Sequence, residues 1–472
     1  MMDNKEWTDA IDAIFRKQLE NQYNIGHTNA LERKTKLKKL LKTILQYRTE
    51  IQKAMFNDFK KAPAEVDLTE IYTVINELNH AIRHLKHWMK PKAVPSPISL
   101  LGTSSYIHYE PKGVVLIVSP WNFPFNLTFG PLVSAVAAGN CVIIKPSEHT
   151  PHSAALMKKM IAEVFPENEV AIFEGNADVA EYITKLPFNH IFFTGSPALG
   201  KKVMKAAAEN LCSVTLELGG KTPVIVEESA DLSKAASRIA WAKYLNNGQV
   251  CIAPDYLYIQ ESIKDDFIKL FKEQVLTFYG ENPQESKDYN RIVNKGHFNR
   301  LKSYIEEAKA TGAVIEMGGE TDESQEFIAP TLLSNVRKDS KVMQEEIFGP
   351  ILPLITFKEL DEAIQHIRQH EKPLALYIFS NNKVSVNSII NQTRAGGTVI
   401  NHNTLHFFNN ELPFGGSNNS GIGKGHGHYG FLAFSNQRAI MKQWSPFIAL
   451  DLLMPPYTDF KQKLIDLTIK YF

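Results

Sequence analysis

Residues 113–145 of the chain read GVVLIVSPWNFPFNLTFGPLVSAVAAGNCVIIK. The stretch opens with an apolar run at 113–119 and closes with a second one, CVIIK, at 141–145. Both runs are short and rich in β-branched residues, which is typical of strands buried on both faces of a sheet. Residues 128–138 between them have the composition of a helix, which the pair Gly139-Asn140 would end. The stretch therefore predicts a strand, a helix and a second, parallel strand.

The same alternation continues along the chain and then starts again. The first ninety residues predict mostly helix, and a proline-containing connector follows at 91–105. Strands and helices then alternate to residue 218, and a new series begins after Gly220. The predicted strands are 170–174, 190–194, 213–218, 222–226 and 255–260, and the helices are 151–165, 177–185, 197–210, 231–246 and 264–278. This rhythm predicts an α/β fold class with two doubly wound, Rossmann-like α/β domains.

Length, charge and cysteine usage limit the class of protein. A chain of 472 residues is longer than one hydrophobic core normally fills, so two or more domains are expected. Its formal net charge of +1 gives no sign of the clustered positive charge that nucleic-acid binding needs. We therefore expect no nucleic-acid partner. Three cysteines without a CxxC pair suit a reducing compartment, so we predict a cytoplasmic protein. No apolar run approaches the roughly 20 residues of a membrane span, and we predict no integral membrane segment.

Two segments offer groups for covalent thiol chemistry. Cys251 stands in GQVCIAP at 248–254, directly after turn-forming residues, which places it in a loop. Glu217 stands at a predicted strand end in ELGGK at 217–221. A cysteine nucleophile followed by base-assisted hydrolysis would use this pair. Taken alone, however, a lone cysteine is more often a small buried apolar residue, and a lone glutamate more often a surface carboxylate.

Polar residues also follow the other predicted strands, where open α/β sheets bind ligands. Asn122 in PWNFP at 120–124 could donate to a developing oxyanion or simply stabilise a turn. Ser196 and Pro197 suit the first positions of a helix, so the turn before it could hold a pyrophosphate or be only a capped turn. Lys145 and Glu148 could contact ribose hydroxyls or form a surface ion pair. The segment EEIFGP at 345–350 could pack on a heterocycle or end a helix.

Two pairs of closely spaced histidines could bind a metal or could simply be satisfied or solvent-facing. His426 and His428 alternate, and His402 and His406 lie four residues apart. No carboxylate or cysteine set completes a site with them, so we predict no metal centre.

Together these motifs resemble the aldehyde dehydrogenase superfamily over nearly the whole chain. The motifs are PWNFP at 120–124, KPSE at 145–148, FTGS at 193–196, ELGGK at 217–221, GQVC at 248–251, EEIFGP at 345–350 and PFGGSNNSGIG at 413–423. NHNTLH at 401–406 and LLMPPYTDFKQKL at 452–464 resemble the class 3 branch. The resemblance implies an NAD(P)-binding domain at 1–216, a catalytic domain at 217–410, and a return to the cofactor domain at 411–472. It also implies a β-strand bridging element that takes in 91–112 and is used in a homodimer.

The resemblance further implies NAD(P)-dependent oxidation of an aldehyde, with broad medium-chain aliphatic or aromatic substrates. Cys251 would attack the aldehyde, Asn122 would hold the oxyanion, and Glu217 would activate the water that releases the acid. NAD or NADP would be the cofactor. The implied cofactor-binding residues are Trp121, Lys145, Glu148, Phe193, Gly195, Ser196, Gly200, Leu218, Glu346 and Phe348.

Two other functions compete with this one. A CoA-acylating relative would resolve the thioester with a thiol instead of water, but such relatives typically lack a carboxylate at the Glu217 position. A non-catalytic protein could retain the fold, although the presence of Cys251, Glu217 and Asn122 together disfavours that alternative.

Overall fold

A computed structural model describes residues 4–471, so the first three residues of the predicted first domain and Phe472 of the predicted tail lie outside it. The N-terminal region is helical, as the sequence predicts. Its helices are α1 (Asn4–Gly26), α2 (Ala30–Gln46), α3 (Arg48–Phe59), α4 (Pro63–Val66) and α5 (Tyr72–Trp88). A π-helical turn, Asp67–Ile71, joins α4 to α5.

Strands and helices then alternate. After β1 (Lys92–Val94) and β2 (Thr103–Pro111) come β3 (Val114–Val118), α6 (Asn126–Ala138), β4 (Cys141–Lys145), α7 (Pro151–Val164), β5 (Val170–Ile172), α8 (Ala177–Thr184), β6 (His190–Gly195), α9 (Pro197–Glu209) and β7 (Ser213–Leu218). The strands β3 to β7 are parallel and lie in the order β7-β6-β3-β4-β5. Alternate residues of β3 pack into different clusters, with Val115 and Ile117 in one and Val114 and Leu116 in the other. Both faces of this sheet are therefore buried, which explains the continuous apolar runs.

The second series forms another sheet. Its elements are β8 (Pro223–Val226), α10 (Leu232–Tyr244), β9 (Tyr256–Gln260), α11 (Lys264–Tyr279), α12 (Lys295–Ala310), β10 (Val314–Met317), β11 (Thr321–Asp322), β12 (Phe327–Ile328), β13 (Thr331–Ser334), α13 (Lys341–Gln344), β14 (Ile351–Phe357), α14 (Leu360–Gln369), β15 (Ala375–Phe379), α15 (Lys383–Gln392) and β16 (Gly397–Ile400). The strand order is β10-β13-β14-β9-β8-β15-β16. All neighbours are parallel except the edge strand β10, while β11 and β12 form a separate hairpin.

The chain then returns to the first sheet. The closing elements are β17 (Gly421–Ile422), α16 (Gly427–Ala433), β18 (Ser435–Gln443) and α17 (Asp459–Tyr471). Gly421 of β17 pairs antiparallel with Glu217 of β7. Strand β18 pairs along its length with β2, which also pairs with β1, to give a three-stranded antiparallel sheet. Across residues 4–471, none of the helices has both the length and the apolar character of a membrane span.

Candidate active site

The first sheet places its loops at a single cavity. The chain order reverses between the neighbouring strands β3 and β6, which is the topological switch point where open α/β sheets bind ligands. The loops after β3, β6 and β7 line a cavity of about 280 Å³. The segments before β9, β14 and β15 of the second sheet contribute Cys251, Glu346 and Leu374 to the same cavity. The two halves of the chain therefore meet at the cavity.

The loop that carries Cys251 has an unusual backbone. Helix α10 ends at Tyr244, and a 3₁₀ turn, Leu245–Gly248, follows it. Asn246, Asn247 and Gly248 have φ angles of 48°, 58° and 71°, a left-handed conformation that asparagine and glycine tolerate best. A Cβ atom at Gly248 would lie 2.3 Å from the carbonyl oxygen of Gly349. The close approach, as well as the φ angle, therefore requires glycine just before the cysteine.

Hydrogen bonds join this loop to the one that carries Asn122. The Asn122 side-chain amide donates to the Gln249 carbonyl oxygen at 3.0 Å. In return, the Asn246 side-chain amide donates to the Asn122 carbonyl oxygen at 2.9 Å. Asn122 is 3% exposed and lines the cavity. An amide nitrogen carries two hydrogens, so one N–H of Asn122 fixes the loops while the other is left for a ligand.

A buried charge network supports both loops from the N-terminal helices. The Lys61 ammonium lies 3.0 Å from the Glu70 carboxylate, and both side chains are fully buried. Glu70 also accepts a hydrogen bond of 2.8 Å from the Asn126 backbone N–H, at the start of α6. Glu65 accepts one of 3.0 Å from the Asn246 backbone N–H. The π-helical turn therefore brings Glu70 to the loop after β3, while α4 brings Glu65 to the cysteine loop.

Glu217 is a buried carboxylate at the cavity wall. It lies near the end of β7 and is 7% exposed. Both of its oxygens are buried, and no residue in the described chain donates a hydrogen bond to either one. Burial raises its pKa to about 8, and the Lys424 ammonium only partly offsets this rise. A carboxylate in this state is a stronger base than an ordinary one and has free lone pairs toward the cavity.

Cys251 lies at the same wall with a thiol that holds its proton. Burial is the main cause of its raised pKa, and the carboxylates of Glu217 and Glu346 raise it further. Backbone N–H groups of Cys251 and Ile252 act in the opposite direction, because they face the sulfur. A thiolate could form through a lowered thiol pKa or through transfer of the proton to a neighbouring acceptor. Here the pKa of the thiol is raised, and Glu217 is close enough to the thiol to contribute to that rise.

The opposite part of the cavity has the features of a dinucleotide site. The Ser196 side chain caps α9 by accepting from the Leu199 N–H at 3.4 Å, and Pro197 occupies the first helical turn. The free N–H groups of this helix start would suit a pyrophosphate. The buried Thr194 hydroxyl beside it has no hydrogen-bond partner within residues 4–471, so it can take one from a ligand.

The segment 345–350 forms the other wall of that site. Glu346 accepts a hydrogen bond of 3.0 Å from the Gly220 N–H. A Cβ atom at Gly219 would lie 2.2 Å from a Glu346 oxygen, so any larger residue there would displace the Glu346 carboxylate. The Phe348 ring meets Trp121 edge to face, with ring centres 5.4 Å apart. The polar and aromatic groups therefore fit a sugar hydroxyl and a flat heterocycle, as bound NAD or NADP would present.

The structure brings most of the predicted site residues together. Those that line the cavity are Trp121, Asn122, Gly195, Ser196, Glu217, Leu218, Cys251, Glu346 and Phe348. Lys145 is instead the last residue of β4 and Glu148 lies three residues beyond it, with the ammonium 3.7 Å from the carboxylate. Phe193 is buried in β6, and Gly200 packs against the Leu218 side chain.

Sequence reasoning missed several residues of the cavity. His297 and Arg300 come from α12, where no local motif marks them. Burial lowers the pKa of His297 to about 4, so its imidazole is neutral. Other missed lining residues carry apolar or aromatic side chains; they include Leu127, Pro131, Phe407, Phe408, Phe414 and His426. Phe414 lies within the glycine-rich motif at 413–423, which is the sequence signal that could have indicated it.

Comparison with known proteins decides the family. The model of the aldehyde dehydrogenase family matches residues 4–440. The chain belongs to this family. It is an NAD(P)-dependent enzyme that oxidises aldehydes to carboxylic acids through a covalent cysteine intermediate. The resemblance inferred from the motifs, including its class 3 branch, is confirmed, as is the predicted fold class.

Individual relatives resemble almost the whole chain. The chain is 45% identical over 425 residues to the 4,4'-diaponeurosporen-aldehyde dehydrogenase of Staphylococcus aureus, covering 90% of this chain and 92% of that protein. It is 42% identical over 426 residues to a rat (Rattus norvegicus) aldehyde dehydrogenase described as dimeric and NADP-preferring, with coverage of 90% and 93%. A solved structure of Staphylococcus aureus AldH in a substrate-bound state superposes with a TM-score of 0.93 at 43% identity, covering 97% and 99% of the chains.

Proposed function

We propose that Cys251 is the nucleophile, Glu217 the general base and Asn122 the oxyanion donor of this aldehyde dehydrogenase. The observation that carries the proposal is the shared cavity of Cys251 and Glu217, with both Glu217 oxygens unpaired among the residues described. An acceptor of this kind can take the proton that the Cys251 thiol must lose. The carboxylate also argues against a CoA-acylating enzyme, because water is a much weaker acid than a thiol and depends more on a base to attack the thioester.

The chain's residues would act in this order. Glu217 takes the thiol proton, and the sulfur of Cys251 forms a bond with the aldehyde carbon. The carbonyl electrons move to oxygen, and the Asn122 side-chain amide stabilises the resulting oxyanion. When bound, NAD or NADP supplies the acceptor for the hydride of the aldehyde carbon. Oxidation leaves a thioester on Cys251. Glu217 releases the thiol proton to solvent, then takes a proton from the water that attacks the thioester, and returns that proton to the departing Cys251 sulfur. The carboxylic acid is released, and the thiol is restored.

The cofactor would lie along the loops of the first sheet. Gly195, Ser196 and the start of α9 suit the pyrophosphate, while Glu346, Phe348 and Trp121 suit the nicotinamide end. Lys145 and Glu148 would reach the adenosine ribose from the end of β4. Phe193, Gly200 and Leu218 would act by packing, since the Phe193 ring lies under Gly195 and the Leu218 side chain under Gly200.

The substrate would be an apolar aldehyde. Apart from the residues proposed for the cofactor, the cavity lining includes the apolar side chains of Phe407, Phe408, Phe414 and Leu127. Medium-chain aliphatic and aromatic aldehydes match this surface, because their burial removes apolar area from water. The Staphylococcus relative, whose name specifies a diaponeurosporenal substrate, is consistent with an apolar chain.

We further propose a cytoplasmic homodimer. The sheet of β1, β2 and β18 would be the bridging element, because β18 is an edge strand in the described chain with mostly exposed residues. A rat relative is described as dimeric. We also propose that the cofactor-binding domain spans 1–216, that the catalytic domain spans 217–410, and that 411–472 returns to the cofactor domain. The pairing of β17 with β7 supports this return.

A reduced-nicotinamide absorbance assay tests the function. The purified protein is mixed with NAD or NADP and with a series of linear aldehydes of increasing length and benzaldehydes. We expect turnover whose KM falls as the apolar chain lengthens. Turnover with CoA that yields an acyl-CoA instead of the acid would contradict the hydrolytic proposal. Absence of turnover across the series with both cofactors would contradict the apolar-aldehyde assignment.

A further inference from the structure

A cluster of metal-ligating side chains lies outside the active site, between α5 and the segment before the glycine-rich motif. His80 and His84 are four residues apart on α5, so they project from the same face of the helix. Glu411 comes from the far segment and places Oε1 2.9 Å from His80 Nε2. One ligand atom from each of the three lies within 4.8 Å of the others. The chain thus brings together, from positions 80, 84 and 411, two imidazoles and a carboxylate.

The imidazoles of the cluster pack against each other and against an aromatic ring. The His80 and His84 rings lie 4.6 Å apart, and the Trp88 ring stacks on His84 with a centre distance of 6.1 Å. His80 Nδ1 is buried, and it has no hydrogen-bond partner in the part of the chain that is described. The His80 side chain is 12% exposed and that of Glu411 is 72% exposed, so the cluster opens to solvent on one side.

We propose that His80, His84 and Glu411 bind a divalent transition metal of the Zn²⁺ type. Two histidines at i and i+4 on one helix face with a carboxylate from elsewhere are a set that zinc accepts, with water in the fourth position. Ligand atoms in a tetrahedral zinc site lie closer than 4.8 Å, so the three side chains would draw together around a bound ion. This site is independent of the proposed catalytic roles, and it departs from the prediction of no metal, which considered other histidines.

The metal would also connect two elements that form the cavity. Residues 407, 408 and 410, beside Glu411, line the cavity, and so do Asn76 and Glu77 of α5. An existing hydrogen bond already holds this contact, because the Asn76 amide donates to the Phe408 carbonyl oxygen at 3.2 Å. A metal at the cluster would fasten the 407–411 segment to α5 more firmly. The metal would therefore act on aldehyde binding rather than on the covalent steps.

Calorimetric titration with Zn²⁺ tests the site. The titration uses protein that carries Cys251→Ala, which removes binding to the active-site thiol. We expect one Zn²⁺ per chain, and affinities weakened about tenfold or more by His84→Ala and by Glu411→Gln. His152→Ala is the matched control, because His152 is an exposed helix histidine outside the cluster. Glu411 is exposed, so its substitution leaves the fold intact even if the histidine change does not.

Two outcomes would overturn the proposal. One is the absence of stoichiometric Zn²⁺ binding, and the other is binding that neither His84→Ala nor Glu411→Gln weakens. The effect on the cavity has its own readout in protein that retains Cys251. Zn²⁺ should change KM for the aldehyde, and Glu411→Gln should remove that change while His152→Ala keeps it. An equal change in both variants would mean that the metal acts elsewhere.

Discussion

The side-chain amide of Asn122 donates a hydrogen bond of 3.0 Å to the carbonyl oxygen of Gln249, two residues before Cys251. The proposed oxyanion donor is therefore fixed to the loop of the proposed nucleophile. Because Asn246 returns a second bond to the Asn122 carbonyl, the two loops form one unit. Groups that must stabilise a charge only in the transition state gain most from being held in place beforehand.

Asn122→Ala tests this donor. Loss of one oxyanion-hole donor should lower kcat/KM by about 10²–10³-fold, equivalent to about 3–4 kcal/mol of transition-state stabilisation. Steady-state rates of reduced-nicotinamide formation provide the measurement. Asn391→Ala is the control, since Asn391 is exposed on α15 and far along the chain from the cavity loops. A loss below about threefold would remove Asn122 from the oxyanion role.

The pH profile tests Glu217 as the base. Its pKa is raised to about 8, so at lower pH most molecules carry the neutral carboxyl, which cannot accept a proton. The active, ionised fraction grows about tenfold per pH unit below this pKa and levels off above it. We therefore expect kcat to rise from pH 6 to about 8 and then reach a plateau. Stopped-flow and steady-state rates over this range provide the measurement.

Glu217→Gln should remove that rise and leave a low, flat profile with accumulated acyl-enzyme, which mass spectrometry detects. Glu346→Gln serves as the comparison, because burial also raises the pKa of Glu346, to about 7. If the rise persists in the Glu217 variant and disappears in the Glu346 variant, the base has been assigned to the wrong carboxylate.

Much of the fold could be predicted from local sequence patterns. The runs at 113–119 and 141–145 are strands because both faces of the first sheet are buried, so every residue of the run is apolar. The turn residues 246–248 also placed Cys251 in a loop, and the left-handed φ angles explain why asparagine and glycine stand there. The motifs also identify residues of the polar wall of the cavity, because tight turns and close backbone approaches there restrict which residue types fit.

The rest depended on contacts between distant residues. The ion pair of Lys61 and Glu70 reaches the loop after β3, across 56 positions from Glu70 to Asn126, and no local pattern signals it. His297 and Arg300 enter the cavity from an ordinary amphipathic helix, so their spacing indicates only helix. The pairing of His80 with Glu411 spans 331 positions, so the local spacing of histidines and carboxylates does not indicate it.

The three cysteines allow a direct test of the nucleophile. Cys251→Ala should abolish turnover, because no other group at the site can form the thioester. Cys212→Ala is the matched control, since Cys212 is partly exposed and lies after α9, outside the cavity lining. It should keep turnover within about twofold of the unchanged protein. Trapping the acyl group and locating it by peptide mass spectrometry provides the measurement, and an acyl group on Cys212 would contradict the assignment.

Gly248→Ala tests whether the cysteine loop requires glycine for space as well as for conformation. The new Cβ would lie 2.3 Å from the Gly349 carbonyl oxygen, in a residue whose φ is 71°. Gly280→Ala separates the two effects, because Gly280 has a similar φ of 75° with no atom within 4 Å of the added Cβ. Left-handed strain alone costs about 1–3 kcal/mol, so the Gly280 variant should lose only that much stability. We expect the Gly248 variant to lose more in denaturant unfolding and to lose activity as well, since the clash displaces the loop that holds Cys251. Equal losses in the two variants would show that the backbone angle alone selects glycine at position 248.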